Sequence, residues 1–345
     1  ACGTTCDTTC FRSTLWRSIT SSKKDGVWLL AAVAASGHIW TWNDSDESWT
    51  EDTSVGEAKK WWSITSNDDG TKLAAVVNGG SIWTLDTSED SGAPWTEVTA
   101  FSGDNGLNWV SITSNADGDK LAAVVSGGNI WTSADSGASW TEVTVTDNSG
   151  STGPFNWASI TSNDDGDMLA AVVSGGNIWT SVDSGATWTE QSYQGGTTWT
   201  SIAITSAAVD VGDGHVEHKL AAVGDGSGSG DYIYTSEDSG RLFSKAKYTC
   251  DPGCTHEDDE QGFETQVWKS IASDADGSVL AAVVKNGNIW VKTSGSFWTE
   301  DTSVGETKNW RSITSDESGV KLAAVAYEGG IYTSKNSGST WTLSL

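Results

Sequence analysis

The sequence predicts an all-β chain folded as a seven-bladed β-propeller of four-stranded antiparallel blades. Two observations lead to this prediction. One short motif recurs seven times, and each copy is followed by three further apolar segments bounded by turns. Units of about 40–50 residues with four strands are typical of propeller blades, and closing them into a ring protects the sheet edges.

The anchor of the repeat is the tetrapeptide W-x-S-I, which opens each predicted blade at Trp16, Trp61, Trp109, Trp157, Trp199, Trp268 and Trp310. A DG-type turn then leads into L-A-A-V, as in "NDDGTKLAAV" at 67–76. A Gly-rich turn follows and leads into I-W-T or I-Y-T. The fourth element is S-x-D-S-G-x-x-W, as in "SADSGASW" at 133–140. Residues 16–345 are therefore assigned to the propeller, and residues 1–15 to an N-terminal segment that contains cysteines.

We expect no strand to be exchanged between the two termini. The first blade begins with its own inner strand, and the last blade ends with its own outer strand, "WTLSL" at 341–345. Closure of the ring then comes from packing between blades, or from residues 1–15 lying across the seam.

The fourth element resembles the Asp-box of sialidase-like and related β-propellers. In such a turn the Ser hydroxyl and the Asp carboxylate accept backbone N–H groups, Gly supplies a positive φ, and Trp packs beneath. Phe243 replaces this Trp in blade five, and Thr293 and Asn336 replace the Asp in blades six and seven. The resemblance implies the fold, because the turn occurs in enzymes and binding proteins alike. The structural aspartates of the box are Asp90, Asp135, Asp183 and Asp238.

The same resemblance raises the hypothesis of a sialidase-like glycoside hydrolase, which the residues disfavour. That family needs three arginines for the substrate carboxylate and a Tyr–Glu nucleophile pair. The chain has no R-I-P segment at its first blade, no innermost strand carries Tyr, and its arginines are Arg12, Arg17, Arg241 and Arg311. We therefore predict a non-catalytic protein without a cofactor.

The charge of the chain narrows its partners. The formal net charge is -27, which argues against nucleic acid and anionic membranes. No apolar run approaches the ~20 residues that span a bilayer. The prediction is a binding module for carbohydrate, including acidic glycans. The alternative is a protein-binding module in a cell-surface or filament assembly, and the sequence does not decide between them or fix the oligomeric state.

Five cysteines lie outside the repeated elements and indicate an oxidising, extracellular location. Cys250 and Cys254 are expected to form a disulfide, with at least one further pair among Cys2, Cys6 and Cys10. A metal site formed by Cys250, Cys254 and His256 is the disfavoured alternative. Asn43 heads the N-x-S/T sequon of the chain and is a candidate glycosylation site.

Acidic DG turns offer oxygen ligands for structural calcium, although they lack the spacing of an EF-hand loop. The simpler interpretation is a set of solvated turns, so no metal site is assigned. The carboxylates concerned are Asp68, Asp69, Asp117, Asp119, Asp164, Asp165, Asp167, Asp274 and Asp276.

The x residue of W-x-S-I is free to vary and is predicted to lie at the mouth of the central channel. Lys269, Arg311 and Arg17 occupy this position on consecutive blades six, seven and one, and Trp62 follows on blade two. This arc is our candidate anion site, for example for a carboxylate or a sulfate. Two alternatives remain: each cation pairs with a nearby carboxylate, or strand alternation turns these side chains between the blades.

The recurrent Trp of the I-W-T segment, at Trp83, Trp131, Trp179 and Trp290, is predicted to pack in the core rather than to form a sugar-stacking platform.

Overall fold

The computed structural model describes residues 14–89, 92–99, 106–191, 197–212, 215–225, 233–246 and 266–345. Within these ranges every regular element is a β-strand. The strands fall into units that each begin with a W-x-S-I copy, numbered 1 to 7 along the chain.

The first four units have the same plan. Unit 1 contains β1 (Trp16–Lys24), β2 (Val27–Gly37), β3 (Ile39–Asn43) and β4 (Ser48–Asp52). Unit 2 contains β5 (Lys59–Ser66), β6 (Lys72–Gly80), β7 (Ile82–Asp86) and β8 (Thr96–Val98). Unit 3 contains β9 (Leu107–Ser114), β10 (Leu121–Gly128), β11 (Ile130–Ser133) and β12 (Thr141–Val143). Unit 4 contains β13 (Phe155–Ser162), β14 (Leu169–Val173), β15 (Ile178–Ser181) and β16 (Thr189–Gln191).

Unit 5 adds a short hairpin to this plan. It contains β17 (Trp199–Ile204), the hairpin of β18 (Val209–Gly212) and β19 (His215–Glu217), then β20 (Leu220–Gly224), β21 (Ile233–Ser236) and β22 (Ser244–Lys245). Unit 6 contains β23 (Trp268–Ser273), β24 (Leu280–Gly287), β25 (Ile289–Lys292) and β26 (Thr299–Asp301). Unit 7 contains β27 (Lys308–Ser315), β28 (Leu322–Ala326), β29 (Gly330–Ser334) and β30 (Thr342–Leu343).

Within each unit the four repeated strands pair antiparallel in chain order, from W-x-S-I outward. The second strand is the most buried, and Ala32 and Val33 of unit 1 have no exposed surface. Small Ala side chains at this position let neighbouring sheets approach closely, while Val fills the space between them.

The serine of W-x-S-I joins neighbouring units. Its hydroxyl oxygen accepts a hydrogen bond from the backbone N–H of the W-x-S-I isoleucine in the next unit, as between Ser18 and Ile64 at 3.3 Å. Equivalent bonds link all consecutive units. The last one returns from unit 7 to unit 1, where Ile19 donates to Ser312 at 3.4 Å. The units therefore form a closed ring whose first strands surround a central channel.

The tryptophan of W-x-S-I fills the space between units. All copies are at most 2% exposed. Trp61, Trp109, Trp199 and Trp310 each donate an indole N–H to a glycine carbonyl of the preceding unit, at 3.1–3.2 Å. Each also meets the aromatic ring of the I-W-T or I-Y-T segment edge to face, as in the Trp61–Trp83 pair. Trp83, Trp179 and Trp290 are buried and Trp131 is half-buried, so the prediction that these rings belong to the core is confirmed.

The two ends of the described chain meet beside each other without exchanging strands. β30 pairs with β29 of its own unit, and β1 pairs with β2. Leu15 forms an antiparallel bridge with Tyr327 of unit 7, and the Trp49 indole donates to the Ser344 hydroxyl at 2.9 Å. Short contacts from both termini therefore cover the seam between units 7 and 1.

The outer hairpin turn is held by its own side chains. The Ser133 hydroxyl accepts the N–H of Gly137 at 2.9 Å, and Asp135 accepts the N–H of Ser139 at 2.8 Å. Ser136 and Gly137 both have positive φ. Asn336 reproduces the bond in unit 7 by accepting the N–H of Thr340 at 3.0 Å, so the amide substitutes for the carboxylate there.

Candidate functional site

A β-bulge in every first strand sets the direction of the x residue. The register shifts between Trp and Ser of W-x-S-I, as at Trp16/Ser18, and leaves x as the extra residue in all seven units. A bulge interrupts strict alternation and redirects a side chain. All seven x residues consequently line one cavity of about 350 Å³, so the alternative in which they point between the blades is wrong. This cavity is the cationic mouth, and its x residues are Arg17, Trp62, Val110, Ala158, Thr200, Lys269 and Arg311.

Two arginines of the cationic mouth contact aromatic rings. The Arg17 guanidinium carbon lies 4.1 Å from the centroid of the Trp62 ring and 5.6 Å from that of Tyr327. The Arg311 guanidinium lies 4.7 Å from the same Tyr327 ring. Among the residues that the structure describes, no carboxylate lies within 4.0 Å of either guanidinium.

The third cation is arranged differently. The Lys269 ammonium lies 3.4 Å from a carboxylate oxygen of Asp225. Burial lowers the pKa of Lys269, Asp225 raises it, and Arg311 and Lys285 lower it further. Within the described ranges, pairing with a carboxylate therefore holds for Lys269 and not for the two arginines.

The two arginines repel each other. Burial lowers the pKa of Arg17, and Tyr327 partly offsets this. Burial also lowers the pKa of Arg311, and the positive charge of Arg17 adds to the effect. The Nε atoms of both side chains are buried without a hydrogen-bond partner. Because arginine stays protonated at neutral pH, the mouth holds two adjacent, incompletely solvated positive charges.

A second variable position contributes to the cationic mouth and was missed from the sequence. It is the second residue after L-A-A-V, where Asp225, Lys285 and Tyr327 stand in units 5, 6 and 7. Its backbone N–H bonds to the residue just before W-x-S-I, as from Asp225 to Thr198 at 2.9 Å. This bond brings its side chain to the same end of the channel as x. The sequence did offer a signal for this position, because the second residue after L-A-A-V differs between units while L-A-A-V itself repeats.

The other end of the channel is the acidic mouth, a cavity of about 140 Å³. It lies beside the residues that stand six positions after x in each unit. At these positions the backbone N–H of one unit donates to the backbone carbonyl of the next, at 2.7–3.1 Å. The donor and acceptor pairs are Lys23 to Asp68, Asp68 to Ala116, Ala116 to Asp164 and Asp164 to Ser206. The ring continues from Ala207 to Ala275 and from Ala275 to Glu317.

Carboxylates face one another across the acidic mouth. Burial, followed by the negative charges of Asp164, Glu317, Asp117 and Asp69, raises the pKa of Asp68 to about 6. The pKa of Asp164 is also raised, mainly by burial, against a hydrogen bond from Ser206.

The remaining predicted residues lie elsewhere. Asp135, Asp183 and Asp238 stay in the outer turns of units 3 to 5. Asn43 is exposed at the end of β3 and accepts the N–H of Ser45. Outside the described residues lie Asp90, Arg12, His256, Cys2, Cys6, Cys10, Cys250 and Cys254.

A further cavity of about 370 Å³ lies between units 3 and 4, beside Asp135 and Lys120. Both side chains have partners there. Asp135 accepts from Ser133 and Ser139, and the Lys120 ammonium donates to the Asp165 carbonyl at 2.7 Å. This cavity therefore presents satisfied groups, unlike the cationic mouth.

Comparison with solved structures identifies the architecture. A GH74 xyloglucanase from Xanthomonas campestris superposes with a TM-score of 0.66 at 15% identity, covering 96% of this chain and 54% of that one. YCF48 from Cyanidioschyzon merolae gives 0.64 at 14%, covering 94% and 96%. The β-propeller domain of Cps50 (Swd1) from Myceliophteria thermophila gives 0.64 at 14%, covering 94% and 97%. The fold is a β-propeller.

The chain spans about half the length of the xyloglucanase and nearly the full length of the other two. At these identities the likeness extends to the fold alone. No protein-family model matches the chain, and comparison with curated protein sequences finds no match. In the described ranges the propeller has no helix with the length and hydropathy needed to cross a membrane.

Proposed function

We propose that the chain is a secreted, non-catalytic, seven-bladed propeller of the Asp-box type that binds an acidic glycan at the cationic mouth. The observation that supports this most strongly is the pair of half-buried arginines without a carboxylate partner in the described chain. With 46 acidic residues against 19 basic ones, carboxylates are abundant in the sequence, yet none of those in the described ranges lies within 4.0 Å of the Arg17 or Arg311 guanidinium. A carboxylate or sulfate from a ligand would neutralise both.

The lining of the cationic mouth supports a sugar as the carrier of that anion. Apart from the cations it presents the Trp62 ring and hydroxyl groups from serines of several units, including Ser63 and Ser174. Aromatic rings and hydroxyls suit the apolar faces and hydroxyl groups of a sugar. A volume of about 350 Å³ lies at the lower end of small-molecule sites, which run from about 300 to 1,000 Å³.

The charge of the whole propeller limits the ligand to few anionic groups. A body of net charge -27 repels a polyanion before it reaches a mouth whose described lining holds three cations, Arg17, Lys269 and Arg311. We therefore expect glycans with one or two uronate, sialate or sulfate groups to bind better than densely sulfated chains.

The proposal of a non-catalytic role is supported by the carboxylates at this mouth. Among the described lining residues Asp225 is the one acid, and Lys269 already pairs with it. Glycoside hydrolysis generally uses two carboxyl groups, one acting as general acid and the other as base or nucleophile.

A glycan array tests this function directly. The full chain is applied to uronate-, sialate- and sulfate-bearing glycans printed beside their neutral counterparts. We expect saturable binding to an acidic glycan and at least tenfold weaker binding to its neutral analogue. Binding should fall as salt increases, because the attraction is between charges.

Substitution of the two arginines tests whether the cationic mouth is the binding site, and a third arginine provides the matched control. Arg17→Ala combined with Arg311→Ala should lower affinity for that glycan about 10- to 100-fold, the effect of removing charge-assisted hydrogen bonds. Arg241→Ala is the control, because Arg241 is exposed on the outer turn of unit 5 and already pairs with Glu217. Unchanged affinity in the double variant, or no acidic ligand on the array, contradicts the function.

A protein partner is the second candidate, since a structure of YCF48 bound to D1 peptide also matches this chain, with a TM-score of 0.56 at 14% identity. A peptide carboxylate would present the same anion to Arg17 and Arg311. To test this candidate, binding of the full chain is measured with peptides that end in a free C-terminal carboxylate and with the same peptides amidated at the C-terminus. Binding of the free form alone, with no glycan signal, favours this candidate.

Secretion is proposed from the clustered cysteines alone. Mass spectrometry of the non-reduced protein from its natural source tests it. A Cys250–Cys254 disulfide supports an oxidising compartment, and free thiols at both positions contradict it.

A further inference from the structure

The acidic mouth contains a buried carboxylate oxygen that has no partner. Asp274 is 4% exposed and lines this mouth. Its Oδ2 accepts the Ser278 hydroxyl at 2.6 Å, whereas its Oδ1 is buried without a hydrogen bond. An unsatisfied buried charged oxygen is costly unless a cation or a proton compensates it.

Comparison with the other units shows what is unusual about Asp274. Units 2, 3 and 4 carry an asparagine at this place, and its two amide atoms are both used. The side-chain oxygen accepts a backbone N–H five residues later, and the side-chain nitrogen donates to a carboxylate in the same turn. These bonds are made by Asn67, Asn115 and Asn163. Unit 7 also carries an aspartate at this place, Asp316, and both of its oxygens accept hydrogen bonds, one from the Lys321 N–H and one from the Ser318 hydroxyl. Of these five residues, Asp274 is the one whose side chain keeps a buried oxygen without a hydrogen bond.

Four further carboxylates border the same cavity, and one of them is Asp316 of unit 7, whose two oxygens are both hydrogen-bonded. Asp68, Asp164 and Glu317 occupy the inner turn position of units 2, 4 and 7 and are therefore spread around the opening. Lys23, in unit 1, is the cation at this position, and it is exposed. Lys23 therefore offsets at most one of the negative charges, and the carboxylates around the cavity outnumber the cation.

The spacing of these groups indicates how a cation would be held. Within the described residues no three His, Cys, Asp or Glu side chains stand close enough to hold a metal ion directly. The cavity of about 140 Å³ has room for roughly four or five waters. Calcium and magnesium both accept water among their oxygen ligands.

We infer that the acidic mouth binds one hydrated divalent cation, with Asp274 contacting it most closely and Asp68, Asp164 and Glu317 surrounding its water shell. The cation would neutralise the unpaired Asp274 oxygen and the facing carboxylates. It would thereby tie together DG turns of units 2, 4, 6 and 7, of which units 6 and 7 alone follow each other in the sequence.

Isothermal titration calorimetry of the metal-free full chain with Ca²⁺ and with Mg²⁺ tests this site. We expect one saturable site for at least one of the two ions, with a Kd of about 0.1–1 mM, as for weak extracellular calcium sites. Asp274→Asn should weaken it about 10- to 100-fold, and Asp68→Asn should also weaken it. Asp274→Asn places the residue of units 2 to 4 in unit 6, so the fold is expected to tolerate it.

Glu97→Gln is the matched control, because it removes one negative charge from the outer strand of unit 2, where Glu97 is exposed. Its Ca²⁺ affinity should equal that of the unsubstituted chain. Absence of a saturable site for either ion up to about 10 mM, well above the weakest such sites, overturns the inference. So does binding that persists in both Asp274→Asn and Asp68→Asn, since the ion would then be held elsewhere.

Discussion

The two mouths of the channel are formed by the same repeated strands, yet they carry opposite charges. Arg17 and Arg311 lie in the first half of their strands at one end of the channel, and the residues six positions later, Lys23 and Glu317, lie at the other end. The buried Trp and the hydrogen bond from Ile to Ser of the neighbouring unit recur in every unit. The comparison teaches that invariant positions of the repeat build the ring and that variable positions decide what each end attracts.

The mouths also differ in how their charges are accommodated. The arginines lie against the rings of Trp62 and Tyr327, so aromatic faces take the place of counter-ions. The carboxylates Asp68 and Asp164 both line the acidic mouth, and burial, followed by the negative charge of neighbouring carboxylates, raises the pKa of each. Six residues of strand separate the two ends by roughly 20 Å. This exceeds twice the screening length of about 8 Å at physiological salt, so the ends should act independently.

The largest expected effect comes from removing the frame that both mouths share. Trp109→Ala should lower the free energy of unfolding by about 3–5 kcal/mol, because Trp109 has no exposed surface and bonds to the preceding unit. Urea denaturation measures this loss. Trp62→Ala is the control. Trp62 lies at the cationic mouth and is half-buried, so its removal should cost less free energy of unfolding. An equal loss in both variants would contradict the division between frame and mouth.

An intermediate effect is expected from the aromatic ring that serves two cations. Tyr327→Ala should weaken binding of the acidic glycan about three- to tenfold, because both guanidinium groups lose the ring that orients them. Tyr327→Phe keeps the ring and should bind within twofold of the unsubstituted chain. If Phe and Ala weaken binding equally, the phenol hydroxyl rather than the ring is responsible.

The smallest effect concerns the acidic mouth and depends on pH. The raised pKa of Asp68, about 6 when folded, means that ionisation costs more in the folded chain than in the unfolded one. This penalty is absent below about pH 4, grows as the pH rises through 6, and is complete above it. Asp68→Asn, in buffer free of divalent cations, should therefore stabilise the chain at pH 7.5 by about 1 kcal/mol at most. The effect is small because the Asp68 side chain, although surrounded by protein at the mouth, keeps contact with solvent that screens its charge.

Thermal unfolding at pH 7.5 and pH 4 measures this difference. The advantage of Asp68→Asn should disappear at pH 4, after subtraction of the change seen with Glu97→Gln. A gain of the same size at both pH values would show that repulsion across the acidic mouth is not its cause.

Much of the frame could be predicted from the sequence, because the frame is what repeats. The Trp, Ser and Ile of W-x-S-I recur in every unit. The Trp ring is buried in each unit, and the Ser hydroxyl accepts the Ile N–H of the next unit. The direction of Arg17 could not be predicted by strand alternation, because the bulge that redirects it is a local backbone irregularity. Tyr327 and Asp225 were missed because they follow a buried strand and read as part of a turn. Asp274 was grouped with exposed turn carboxylates, although the fold buries it.

Opposite ligands at independent ends of one channel are the central claim, and a crossed titration tests it most directly. The acidic glycan identified on the array and Ca²⁺ are each titrated into Arg311→Ala and into Asp274→Asn. We predict that Arg311→Ala loses glycan affinity at least tenfold and keeps its Ca²⁺ affinity, while Asp274→Asn does the reverse. Loss of both affinities in either variant, or of neither in both, would contradict two separate sites of opposite charge.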